Sequence, residues 1–570
     1  MDTDRAENRI TLRTISLALA GCALLISALI APASAPAARG LDTGFAAVEQ
    51  YQSNDPAQRA LWFDRTVDAQ AGLVRLSVGW AYVAPNRPAN PTNPASYDLS
   101  GVDGAVRDAA AHGLKILITV NVAPPWAEGA DKPANFGQGS TSGGVGTWKP
   151  NPSDLADFVQ ALASRYSGGF DPDGPGGQPP LPAVQALEVW NEANSSDWLA
   201  PQFEGKTPVG VELYRSMLNA SYKAIKSVNP SMLVVAGGTD PYGDPPGGPY
   251  PPGVQRTQPV TFWQQLLCVN AKKVKKKKKG KKKGKKVKQT KYVRAANCPA
   301  KANFDVLAHH PIDNTGKGPL QHGPLPGDAS TPDLDRVVAP LRAAEKLGTV
   351  SGGHHQVWVT EFWWDSKPPN PSGASLGTQA RWVEQSLYLF WKAGASAAVN
   401  FEITDITSRP DVHAGFQSGV YFADGRPKPS LTAFRFPFVT DRINKHKLLA
   451  WGKSPASGKL RIQRRQGSRW ITVRKLHASK GSVFTSKLKL SGKQRLRAVV
   501  GKQKSLLWKQ AAKITRGSSG SGGGGPSVIV LALLGLAVVA AGLTAFRLWA
   551  RRHTRPRRGR GAPTAFAKPV

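Results

Sequence analysis

"ALEVWNEAN", residues 186–194, begins as a buried strand and ends as something else. Ala186, Leu187, Val189 and Trp190 suit a sheet interior, and Asn191 and Glu192 arrive at its far end. A carboxylate at the mouth of an apolar run costs several kcal/mol to bury unless something compensates it. A strand that is apolar on both faces is covered on both faces, the habit of parallel sheets flanked by helices. The fold therefore turns on whether such runs recur.

Seven more occur between residues 43 and 440: "TGFAAVEQ" (43–50), "LVRLSVGW" (73–80), "KILITVNV" (115–122), "MLVVAGG" (232–238), "FDVLAHH" (304–310), "QVWVTEF" (356–362) and "AAVNFEI" (397–403). Amphipathic stretches alternate with them. "PSDLADFVQALASRYSGG" offers Ser153 as N-cap, an apolar face from Leu155 to Tyr166, and Gly168 as terminator. Eight strand–helix repeats over about 400 residues predict an α/β fold, a TIM (β/α)8 barrel spanning 41–440 with long loops after its strands. A doubly wound open sheet is the alternative, but no Gly-rich phosphate loop follows the first strand.

The chain has 570 residues and a formal net charge of +37. That charge is local. No Asp or Glu follows Asp441; about 15 basic residues lie in Ala271–Arg294 and about 30 after Asp441, leaving the remainder near −8. Nucleic acid is accordingly not expected as a partner, since aromatic interleaving and any recognised module are missing. The Lys-rich insert 271–294 falls after the helical run "VTFWQQLL" (260–267) and before the sixth strand, which puts it on the barrel's bottom face. Two readings stand for it. It is a disordered insertion, or it holds the protein against anionic cell-wall polymers or lipid headgroups.

Both ends read as topology signals. Arg5, Arg9 and Arg13 precede an apolar run from Ile15 to Ile30 and a site at Ala35–Ala37, so 1–37 reads as a signal peptide or an uncleaved N-terminal anchor. Residues 445–515 alternate as a small basic β-sandwich-like module, and 516–526 is a Gly/Ser linker. Residues 527–549 are long enough to cross a bilayer, and 550–570 form an Arg-rich tail fitting the cytoplasmic side. The expectation is a single-pass cell-membrane protein with its barrel outside. Export also makes Cys268 and Cys298, which bracket the insert, a plausible disulfide, the other reading being two unrelated thiols.

Glu192 closes the fourth strand, and "VWVTEFWWD" (357–365) places Glu361 at the same rim on the seventh. Strands three apart in an eight-stranded barrel face each other across its mouth, so the two carboxyl groups can meet over the centre. A pair about 5–5.5 Å apart is the geometry of retaining glycoside hydrolysis.

"VWNEAN" and "VWVTEFWW" resemble the signature of clan A glycoside hydrolases, which carry catalytic Glu residues on strands four and seven, closest in style to families 5 and 39. The resemblance implies Glu192 as acid/base, Glu361 as nucleophile and Asn191 as ligand of the sugar 2-hydroxyl. It further implies Arg75 of "VRLSV" as support for the nucleophile and His310 of "AHHP" as the strand-six histidine. One position departs: a Tyr that often stands two residues beyond that His is here Ile312. Trp126, Trp198, Trp363 and Trp364 lie in or beside rim loops, as sugar platforms or as packed anchors, and His309 reads as structural.

The resulting expectation is a retaining glycosidase acting on an extracellular oligo- or polysaccharide, with no metal or organic cofactor implied. The competing class is a catalytically silent carbohydrate-binding protein on the same barrel.

Overall fold

The apolar runs pair side by side in chain order. In the computed structural model β1 (Asp42–Ala46), β2 (Leu73–Gly79), β3 (Lys115–Asn121), β4 (Ala186–Val189), β5 (Leu233–Thr239), β6 (Val306–His309), β7 (Gln356–Phe362) and β8 (Ala397–Phe401) form a closed barrel. Every neighbouring pair is parallel, with β8 returning to β1. The structure describes residues 38–512 except 135, 137–143, 246–254, 278–285, 314–315 and 407–415. Helices α1 (Pro56–Asp68), α2 (Ser100–Ala111), α3 (Pro152–Arg165), α4 (Gly210–Val228), α5 (Pro259–Leu266), α6 (Leu334–Leu347), α7 (Leu376–Ala393) and α8 (Pro429–Arg435) fill the intervals.

The cap of α3 differs from expectation. Asn151, not Ser153, accepts the backbone N–H groups of Ser153 and Asp154. Pro152 occupies the first helical position, where a missing N–H costs nothing, so the cap falls one residue before it.

Alternation along the strands sorts the barrel interior into layers. Leu73, Leu117, Ala186 and Trp358 belong to one buried apolar cluster with Val235, Val306 and Val399. Two residues further along the same strands come Arg75, Thr119, Glu188 and Thr360, all buried. A polar layer thus rests on an apolar floor, one pleat below the rim.

The described parts of the Lys-rich insert, 271–277 and 286–294, form a two-stranded ribbon, and its tip, 278–285, lies outside the described residues. Val269–Lys277 and Lys286–Arg294 pair antiparallel, from Val269 opposite Arg294 to Lys277 opposite Lys286. Cys268 and Cys298 are disulfide-bonded, with Cα atoms 5.5 Å apart. The Arg294 guanidinium donates to the Leu347 carbonyl at the end of α6, 2.8 Å away.

The C-terminal module comprises two antiparallel sheets. One holds Phe438–Asn444, Lys447–Lys453 and Val483–Leu488; the other is built on Gly458–Gln466, Arg469–Ala478 and Gln494–Val500. Its first strand starts at Phe438, before the boundary expected at 445. The module packs directly on α7. Trp451, fully buried, lies 5.6 Å from the Tyr388 ring and 6.0 Å from the Trp391 ring. Tyr388 Oη and Lys392 Nζ both donate to Asp441 at 2.7 Å, and Lys453 Nζ donates to Thr43 of β1 at 2.8 Å.

The expected signal (1–37), the linker (516–526), the membrane span (527–549) and the basic tail lie outside the described residues. Among the described residues no helix is long and apolar enough to cross a membrane.

Candidate active site

Arg75 is the centre of the polar layer. Its Nε donates to Thr119 Oγ1 at 2.7 Å and Glu188 Oε2 at 2.9 Å; Nη1 donates to Glu361 Oε1 at 2.5 Å and Nη2 to Asn191 Oδ1 at 3.0 Å. One planar fork thereby fixes groups from β3, the β4 exit and β7, a task for which arginine is suited and lysine is not. Asn191 is turned with its carbonyl to Arg75, which aims its NH2 group away as a donor.

Glu192 lies three residues past the end of β4, with φ of 40°. Its backbone N–H donates to the Gly238 carbonyl at 2.7 Å, pinning the turn to β5. Its Oε1 lies 2.9 Å from His310 Nδ1, and Glu361 Oε2 lies 4.0 Å from the same nitrogen. The imidazole of His310, fully buried, sits between the two carboxyl groups, with Nε2 3.0 Å from Thr360 Oγ1. One oxygen of Glu192, one ring nitrogen of His310 and one oxygen of Glu361 fall within 4.8 Å of one another. Such a group could in principle share an ion. The Arg75 guanidinium, however, already supplies a positive charge to Glu361 at 2.5 Å, so the donors read as a carboxylate pair with fixed cationic support.

The electrostatics follow from this packing. Burial pulls the His310 pKa down, but the nearby Glu361 and the hydrogen-bonded Glu192 outweigh it and the net direction is up. Burial pushes Glu188 up, yet Arg75, His310 and the hydroxyls of Thr119 and Thr360 hold it below the usual carboxylate range. Asp240, just past β5, is pushed up to about 7, first by burial and then by the Glu192 charge.

Arg75, Asn191, Glu192, His310 and Glu361, drawn from four strand exits or interiors, therefore meet in one place. The tryptophans divide. Trp126 donates its indole N–H to the Ala84 carbonyl at 2.9 Å and sets its ring edge-on to Trp80. Trp363 packs with Phe401, Ile406 and Phe416 at the exit of β8. Trp198 gives its carbonyl to the Trp190 indole at 2.8 Å. Trp364 is buried, bonded to Ser386 and tilted against Trp382, so it anchors α7 and is no sugar platform. His309 is buried between Thr239 and the Ala329 carbonyl, and burial pulls its pKa down to about 3. Ile312 is buried and brings no hydroxyl.

Sequence reasoning passed over Glu188, Thr119 and Thr360. The signal was present: a carboxylate and two hydroxyls stand inside apolar strands, each two residues beyond a floor residue.

No family model matches the chain, and no curated protein does. Among solved structures it is similar to a family 39 glycoside hydrolase from the gut symbiont Bacteroides cellulosilyticus WH2, at 16% identity and a TM-score of 0.45, over 80% of this chain and 81% of that one. It is similar also to a GH39 enzyme from Xanthomonas axonopodis pv. citri, at 12% identity and TM-score 0.43, over 79% and 92% of the two chains. A GH30 endoxylanase from Clostridium papyrosolvens C71 gives 12% identity and TM-score 0.40, over 80% and 94%.

Proposed function

We propose that the chain is a retaining glycoside hydrolase that cleaves an O-glycosidic bond of an extracellular oligo- or polysaccharide. The observation carrying this reading is that one oxygen of Glu192 and one of Glu361 lie within 4.8 Å across the barrel mouth. Retaining enzymes hold their carboxyl groups about 5–5.5 Å apart, inverting ones about 6.5–9.5 Å, the wider gap making room for a water.

The surroundings divide the roles. Glu361, ion-paired with Arg75, stays anionic and attacks the anomeric carbon as the glycosidic C–O bond breaks. Glu192 gives its proton to the departing oxygen. In the second half Glu192 takes a proton from water, whose oxygen attacks the anomeric carbon and releases Glu361. Asn191, with its NH2 group turned outward by Arg75, donates to a sugar hydroxyl beside the reacting carbon. The C-terminal span 527–549 would hold this barrel at the outer face of the cell membrane.

Turnover of aryl glycosides by the purified chain tests the reading. Retained anomeric configuration in the first-formed product, loss of turnover in Glu361→Ala, and recovery with azide support it. A carbohydrate-binding barrel without catalysis is the second reading, favoured by Ile312 where a hydroxyl is common. Glycan binding with no product released would establish that one instead.

A further inference from the structure

Glu188 is fully buried, and neither of its oxygens is idle. Oε2 accepts from Arg75 Nε at 2.9 Å and from Thr119 Oγ1 at 2.6 Å; Oε1 accepts from Thr360 Oγ1 at 2.8 Å and from the Gly238 N–H at 3.1 Å. Four strands converge on this one carboxylate. Gly238 must be glycine for the contact, because a Cβ there would lie 2.1 Å from His310 Nε2.

Proton counting gives the arrangement a direction. An ionised carboxylate only accepts, and a hydroxyl has one proton to give. Thr119 spends its proton on Glu188 and accepts from Arg75 Nε at 2.7 Å. Thr360 spends its proton on Glu188 and, by the same rule, accepts from His310 Nε2 at 3.0 Å. The neutral His310 imidazole is thereby held as the Nε2–H tautomer, with the Nδ1 lone pair accepting from the carboxylic acid form of Glu192. One oxygen of Glu188 thus reaches Glu361 through Arg75, and the other reaches Glu192 through Thr360 and His310.

From this geometry we infer that Glu188 is the positioning residue of the site, setting both the seat of Arg75 on Glu361 and the tautomer of His310 that faces Glu192. The inference rests on the reading of Glu361 and Glu192 as nucleophile and acid/base. It extends that reading to a residue that touches no substrate. Glu188 has a second effect, since it shares the Arg75 charge. Without it the guanidinium would pair with Glu361 alone, and the nucleophile would attack less readily.

Glu188→Gln tests the charge and the proton order at nearly constant shape. Its NH2 group meets a hydroxyl or guanidinium that already donates at that point. The expected result is kcat lower by about 100-fold or more, KM changed far less, and the acid limb of the kcat/KM profile moved to lower pH. Glu188→Asp, which keeps the charge, should return that limb toward its wild-type position. The charged groups facing Glu361 are Arg75, His310 and Glu192, and all three remain in these variants. A merely structural role would lower the folded fraction and leave the limb in place.

Thr360→Val covers the case in which Glu188→Gln does not fold. Nitrogen-15 NMR of the histidines reads the tautomer without turnover: wild type should show Nε2 protonated in neutral His310, and Thr360→Val should lose that preference. Wild-type His310 shifts in Thr360→Val, or an unmoved acid limb in a folded Glu188→Gln, would overturn the inference. A wild-type chain that hydrolyses nothing, yet shows the locked tautomer and its loss, would count against the hydrolase reading and leave Glu188 as the positioning group.

Discussion

His310 and Glu192 are joined by a 2.9 Å contact between Nδ1 and Oε1, so the strand-six histidine and the proposed acid/base touch directly. The raised His310 pKa owes its direction to Glu361 and Glu192, which overcome the burial that lowers it. A histidine raised on folding adds stability that is complete below its unfolded pKa, near 6.5, and is lost as pH rises through the folded value. Glu192→Gln removes one of the two carboxylates. His310 should then titrate at lower pH than in wild type, read from its imidazole resonances, and the stability advantage below pH about 6.5 should shrink. An unchanged His310 titration would mean that the contact carries no weight in solution.

Arg75 makes the second prediction. Lysine at this position keeps the charge but replaces a fork serving Thr119, Glu188, Glu361 and Asn191 with a single ammonium. Arg75→Lys should fold and lose about 10²–10³-fold in kcat/KM, since a misplaced carboxylate of order 1 Å is costly. Arg75→Ala leaves Glu188 buried and unpaired, and about 3–5 kcal/mol of stability should be lost. Chemical denaturation separates the two: equal stability losses would show that the charge contributes nothing to the fold.

The eight strands and four of the five polar residues at the site were legible because each signal is local. An apolar run long enough to be a strand announces itself; Asn191, Glu192, His310 and Glu361 stand at or near the ends of such runs, while Arg75, inside β2, follows from the family resemblance. Glu188, four residues before Glu192, gives no such signal. A lone charge within a strand looks like an interruption until the barrel shows that Thr119, Thr360 and Gly238 all point to it. The module's docking was equally hidden, because contact of Trp451 with Tyr388 and Trp391 joins segments some 60 residues apart with no shared periodicity. At the insert composition left two readings open, and the strand-forming Val269, Val274 and Val293, with Cys268–Cys298 closing the base, are the signal for pairing in its described part.

That hairpin carries the third prediction. Its register sets Lys272 opposite Lys291, a like-charge pairing that weakens a two-stranded ribbon. A polyanion laid along it would offset the repulsion. It emerges between α5 and β6, at the end of the barrel away from the carboxyl-terminal rim. Removing 271–292 and joining the ends with a short turn should abolish salt-sensitive retention on anionic vesicles or teichoic-acid-type polymers. Hydrolysis of a small neutral glycoside should stay within about twofold of wild type. Retention that survives the deletion would move the contact to the basic C-terminal module.

Glu384 supports the last prediction. It lies on α7 under the C-terminal module, almost fully buried, and its Oε2 accepts the Phe438 N–H at 3.4 Å. Burial pushes its pKa up to about 8, against which the Phe438 bond and the Arg381 charge act only in part. From its ordinary 4.5 to about 8 the folded chain holds a proton that the unfolded chain has released. Stability therefore falls as pH rises through that window, by about 3 kcal/mol at pH 7 for this group. Glu384→Gln keeps an acceptor for Phe438 and cannot ionise. Thermal melts should show the variant close to wild type at pH 5 and several degrees more stable at pH 8, the gap widening steadily between. A constant difference across that range would mean Glu384 is ionised in the folded protein, with a countercharge closer than Arg381 or a route for water to the base of the module.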